Sequence, residues 1–142
     1  MADAPRTISI HVDMREKNTA VVKHWKEHPG MFPGLEIELV EMEYGDYVVG
    51  KSTVIERKST TDFMLSVMDN HLITNLTKLN QDYEQVIYIV EGDIYASRFH
   101  SDPAKLRQAI AYMTVKENTP LVPSPDPQST AELIYAMALL GQ

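Results

Sequence analysis

Asp46, Glu56 and Lys58 are the side chains in this sequence best placed to do chemistry together. Residues 46–49 and 53–58 read as two strands joined by a tight turn at Gly50-Lys51-Ser52, a hairpin. If those three residues are the loop, Val49 pairs with Thr53, and Asp46 stands across from Glu56. Directly opposed residues hold their Cβ atoms about 4.5–5.5 Å apart, so two carboxylates there repel each other. A divalent cation between them would remove that repulsion. Glu56 and Lys58, two apart on one strand, project from the same face. Paired carboxylates that take a hard cation through oxygen, with an ammonium group beside them, suit phosphodiester hydrolysis. The cation would polarise the phosphate, and the lysine would orient water or neutralise developing charge.

Other residues join this set with competing roles. Asp13, at the end of the first strand, offers a third carboxylate if that strand lies beside the hairpin, and Glu16 is a further candidate. Asp62 follows Glu56 by six residues. It either reaches back toward the site or Arg57 and Lys58, or completes a capping box with Ser59. Taken singly, Gly45-Asp46 is ordinary turn chemistry, and a Glu-Arg-Lys run is an ordinary charged strand edge. Their order along one hairpin carries the argument. His24 and His28 have helical metal-pair spacing but lack the following glutamate of zinc proteases, so a packing or surface role is expected. His11, His71 and His100 stand alone and are read as structural. Tyr47 and Trp25 have rings that could stack on bases, but burial is expected for both, and the methionines are read as core filler.

The elements that must position these groups alternate in type. Strands are expected at 7–12, 35–40, 46–49, 53–58 and 86–90, with a short one at 121–122. Helices are expected at 19–28, 60–68, 74–83, 103–115 and 129–140. The prolines at 120, 123, 125 and 127 are read as a stiff connector. This order predicts one α/β domain over residues 1–142, with a mixed central sheet and helices on both faces. A chain of 142 residues that is 44% apolar suits one compact core. No Gly-rich nucleotide loop occurs. The net charge of −7 argues against a general polyanion-coating protein but agrees with a carboxylate-rich metal site. There is no cysteine, which excludes disulfide scaffolds and thiolate metal sites. No run is apolar enough to span a membrane, and residues 1–7 lack a secretory pattern. The expected location is inside the cell: the cytoplasm of a prokaryote or phage-infected cell, or the nucleus of a eukaryote.

Taken together, Gly45-Asp46, the hairpin and Glu56-Arg57-Lys58-x-x-x-Asp62 resemble the signature of the XPF-type structure-specific endonucleases, a family that includes the Mus-type and Hef nucleases. Val12-Asp13-Met14-Arg15-Glu16 is similar to that family's first-strand motif, and Tyr88-Ile89-Val90-Glu91-Gly92 to its later buried strand. The resemblance covers about residues 7–140. It implies a restriction-endonuclease-like core, a Mg2+ or Mn2+ cofactor, and cleavage of branched, flap or fork DNA. It also implies that Asp46 and Glu56 are metal ligands with the Arg57 backbone carbonyl, that Lys58 is the catalytic lysine, and that Asp13, Glu16, Arg15 and Asp62 complete the site. Asp13 is assigned to the metal, and Arg15, Glu16 and Lys51 to the substrate. Family members commonly dimerise, so a homodimer is a further expectation. Neither a helix-hairpin-helix module nor a helicase domain is read within these residues. The competing readings are a non-catalytic DNA-binding or nuclease-partner module of the same fold, and a restriction or repair nuclease with a different substrate.

Overall fold

A computed structural model describes residues 6–96 and 102–141. Its centre is a six-stranded mixed sheet of β1 (Ile8–Asp13), β2 (Leu35–Val40), β3 (Tyr47–Val49), β4 (Thr53–Ser59), β5 (Gln85–Glu91) and β6 (Leu121–Ser124). The order across the sheet is β2-β1-β3-β4-β5-β6. The β3–β4 hairpin and the β1–β3 pair are antiparallel, while β1–β2, β4–β5 and β5–β6 run parallel. The hairpin therefore lies at the middle of the sheet, where a strand has neighbours on both sides and its end is held firmly.

Alternation along the strands divides the core into two layers. Ile8, Ile10, Val12, Ile55 and Ile89 face one side, under α1 (Ala20–Glu27) and α5 (Pro127–Leu140). Val54, Val86, Tyr88 and Val90 face the other, under α2 (Thr60–Met68), α3 (His71–Asp82) and α4 (Pro103–Ala111). Val86 to Val90 are all buried, as expected of a strand covered on both faces. Trp25 is buried, and its Nε1 donates to the Ala131 carbonyl at 2.9 Å, tying α1 to α5. Tyr47 packs edge-on against it and is likewise buried, so neither ring is available to a base.

Several boundaries differ from the sequence reading. The helix expected from 74 begins at His71, because Asn70 takes a left-handed turn (φ 60°) that starts α3 at once. The helix expected to reach 115 ends at Ala111 and widens into a π turn over Tyr112–Lys116. The proline run is not a connector: Pro123 lies in β6, an edge strand that tolerates a missing donor, and Pro127 is the first residue of α5. His28 Nδ1 stands 3.1 Å from the His24 carbonyl, His11 pairs with Glu38 across β1 and β2, and His100 lies outside the described residues. Among the described residues, no helix is long and apolar enough to cross a membrane.

Candidate active site

Asp46 is held at three points. Its backbone N–H donates to the Ile55 carbonyl (3.0 Å), its carbonyl accepts from the Asp13 N–H (2.9 Å), and its Oδ2 accepts from the Arg57 N–H (2.8 Å). The pairing of Tyr47 with Ile55 and of Val49 with Thr53 continues one step outward to place Asp46 across from Glu56, as the loop spacing predicts. Gly45 makes this approach possible. Its φ is +93°, and a Cβ there would lie 2.4 Å from Val54 Cγ2, inside a packed layer. Gly45→Ala is therefore expected to destabilise the protein by about 1–3 kcal/mol, read by urea unfolding. An alanine variant with wild-type stability would contradict this account of the turn.

Glu56 and Lys58 share the α2 side of the sheet with Val54, and Lys58 Nζ lies 3.9 Å from Glu56 Oε1. Their side chains are only 17% and 22% exposed, so these charges are poorly screened. Burial raises the proton affinity of both Asp46 and Glu56 above the usual carboxylate range. For Glu56 the charge of Asp46 adds to the rise, and Lys58 and Arg15 oppose it. Two half-buried carboxylates that resist ionising together are chemically matched to a divalent cation, which would neutralise both. Among the described residues no three His, Asp or Glu side chains form a ready cage. Mg2+ does not require one, since it keeps several waters and commonly takes one or two carboxylates plus substrate phosphate. The oxygens present fit such an ion.

Arg57 points the other way. Its guanidinium forks onto Glu91, Nε to Oε2 at 2.5 Å and Nη2 to Oε1 at 2.9 Å. Glu91 Oε2 also accepts from Thr130 Oγ1 at 2.8 Å, and Arg57 Nη1 lies 3.7 Å from Glu16. The arginine side chain is thus a strut between β4, β5 and α5, and only its backbone faces Asp46. Glu91 and Thr130 were absent from the sequence reading of the site. The one available signal was an acidic residue closing an otherwise apolar strand, and its meaning depends on β4 and β5 being neighbours.

Asp13 and Glu16 are both buried, in different surroundings. Asp13 folds back onto the turn it caps: Oδ2 accepts from the Arg15 N–H (3.1 Å) and Nε (2.5 Å), and Oδ1 accepts from the Met42 N–H (2.9 Å). Burial alone would raise its pKa, but these hydrogen bonds together outweigh burial and hold it below the ordinary value. Both oxygens are therefore engaged. Glu16 is buried, and its charge is felt by both Asp46 and Glu56. Glu16 thus adds negative charge to the surroundings of the pair, while its own carboxylate lies 3.7 Å from Arg57 Nη1. Arg15 stays at the mouth, its side chain 64% exposed, and Nη2 reaches toward the Met42 and Gly45 carbonyls.

Two further expectations do not converge on the site. Asp62 is exposed in the first turn of α2. Its backbone N–H donates to Ser59 Oγ at 3.1 Å, so Ser59 caps α2, while Arg57 and Lys58 pair with Glu91, Glu16 and Glu56. Lys51 sits exposed at the hairpin tip, whereas Asp46 and Glu56 lie at its open end, roughly 10 Å or more away along the strand. If the site cuts phosphodiesters, Lys51→Ala is expected to leave the rate within about twofold of wild type, because its side chain stands at the other end of the hairpin from the carboxylate pair. A tenfold fall would return Lys51 to the substrate path.

The family model for the ERCC4 domain matches residues 12–137. Over 133 residues the chain is 34% identical to the Methanocaldococcus jannaschii protein named "Putative ATP-dependent RNA helicase", covering 94% of this chain and 16% of that protein. It is 28% identical over 132 residues to the 3'-flap repair endonuclease Xpf of Saccharolobus solfataricus, covering 92% and 54% respectively. The chain therefore spans about half or less of these curated relatives. The solved structure of XPF from Aeropyrum pernix in complex with DNA aligns with a TM-score of 0.83 and 30% identity, over 93% of this chain and 64% of that one. The restriction-endonuclease-like α/β core expected from the sequence is thus the fold observed. A family match over most of the length and a close structural alignment lead to one conclusion: this chain belongs to the ERCC4 domain family and has the fold of the XPF nuclease domain.

Proposed function

We propose that the chain is a divalent-metal-dependent DNA endonuclease that cuts phosphodiester bonds at branched DNA, such as flaps or forks. The observation that carries this reading is the half-buried Asp46–Glu56 pair with Lys58 on the same face. Mg2+ or Mn2+, when bound, would act as a Lewis acid on the scissile phosphate. Asp46 and Glu56 would hold the ion, with the Arg57 backbone carbonyl beside them and Glu16 adding negative charge. Lys58 would orient the attacking water through its ammonium and offset charge on the phosphorus as water adds and the leaving oxygen departs. Arg15, exposed at the mouth, suits contact with a neighbouring phosphate. The branched substrate is supported by the Saccharolobus relative, named a 3'-flap endonuclease, and by the Aeropyrum protein, solved with DNA. A homodimer is part of the reading.

A second reading, a non-catalytic DNA-binding or nuclease-partner module, is favoured by the lack of a ready three-ligand cage among the described residues. Incubation with flap, fork and plain duplex DNA, with Mg2+, Mn2+ or chelator, separates the two. The expected result is metal-dependent cutting, faster on flap and fork than on duplex. No cutting of any substrate at high protein concentration would favour the module.

A further inference from the structure

Strand β5 is buried from Val86 to Val90, and within that run it carries one polar side chain, the phenol of Tyr88. Tyr88 is 0% exposed, and its hydroxyl has no hydrogen-bond partner among the described residues. Its ring lies edge-on to Phe63 in the layer beneath α2, a place where phenylalanine would pack as well without stranding an oxygen. A buried hydroxyl with no partner costs stability. The position of the hydroxyl suggests why that cost is tolerated. In the parallel pairing of β4 with β5, Tyr88 stands beside Glu56. Both project to the same face, since Val54 and Lys58 pair with Val86 and Val90 on either side. The charges of Glu56 and then Asp46 reach the phenol.

We propose that Tyr88 is a positioning residue of the cation site, its hydroxyl donating from beneath to the Glu56 carboxylate and holding it toward the ion when a divalent cation is bound. The assignment rests on the cation reading given above. In the apo protein the hydroxyl contributes little; in the loaded protein it fixes a ligand, as outer-shell partners of metal ligands do.

Tyr88→Phe removes that single oxygen. The test is Mn2+ titration by calorimetry without DNA, together with thermal melting in chelator. The variant is expected to melt no lower than wild type in chelator and to bind Mn2+ about tenfold more weakly. In a Glu56→Gln background the same change should have no further effect on Mn2+ affinity. Unchanged affinity in Tyr88→Phe, or a clear loss of stability in chelator, would overturn the assignment. Failure of the wild-type protein to bind Mn2+ would instead defeat the cation reading itself, and this assignment with it.

Discussion

Glu56→Gln is expected to abolish metal-dependent cleavage while making the metal-free protein more stable. The two effects have one cause. Glu56 is held half-buried beside Asp46, and burial, with the neighbouring charge, raises its pKa. A carboxylate whose folded pKa exceeds its unfolded value of about 4.3 binds more protons in the native state. Native stability then falls as pH rises from the ordinary carboxylate range into the neutral range. Glutamine is neutral throughout, so the variant should melt higher than wild type near pH 8 in chelator, and its melting curve should depend less on pH. A divalent cation supplies several kcal/mol of transition-state stabilisation, so losing a ligand should lower the rate by a factor of roughly 10³. Melting in chelator from pH 5 to 8, alongside a single-turnover cleavage assay, reads both effects. A variant that cuts at the wild-type rate, or that melts lower than wild type at pH 8, would contradict the strained-pair account.

Glu91→Ala should carry the largest stability penalty of any substitution near the site. Arg57 has its side chain only 19% exposed and depends on Glu91 for a two-point fork, which Thr130 braces from α5. Removing one partner of a largely buried pair leaves an uncompensated charge and typically costs about 3–5 kcal/mol. Glu16 at 3.7 Å can take up part of that charge, so the lower end of the range is expected. Against a total stability of about 5–15 kcal/mol, this is a large loss. Glu91→Gln keeps an acceptor for the guanidinium and should lose less. Urea unfolding of the two variants against wild type measures the difference. A loss under about 1 kcal/mol in Glu91→Ala would show that the fork is not what ties β4 to α5.

What the sequence revealed and what it concealed divide along the range of the interactions. The pairing of Asp46 with Glu56 was legible because a three-residue loop fixes hairpin register, and the shared face of Glu56 and Lys58 follows from strand periodicity. The two-sided burial of β5 was legible from an unbroken apolar run. The Arg57–Glu91–Thr130 connection was not, because it joins residues 34 and 39 positions apart through a parallel pairing that no local pattern encodes. The surroundings of Asp13 and Glu16 were hidden for a subtler reason. Asp13 ends a strand but also begins a turn, so its oxygens accept from the Arg15 and Met42 N–H groups, contacts that no strand pattern announces. Glu16, three residues later, is also buried, with its carboxylate 3.7 Å from Arg57. At Asp62 the contact is local: its backbone N–H donates to the Ser59 hydroxyl that caps α2, as the Ser-x-x-Asp spacing suggests. Prolines 123 and 127 suggest a stiff connector, yet an edge strand and a helix start both accept them.

Everything proposed for function depends on a divalent ion sitting between Asp46 and Glu56. The most direct measurement is anomalous diffraction from a crystal soaked in Mn2+. The account predicts a manganese peak within bonding distance of oxygens from both side chains, with Lys58 alongside. A crystal with no peak there, and with the two carboxylates turned apart, would contradict it.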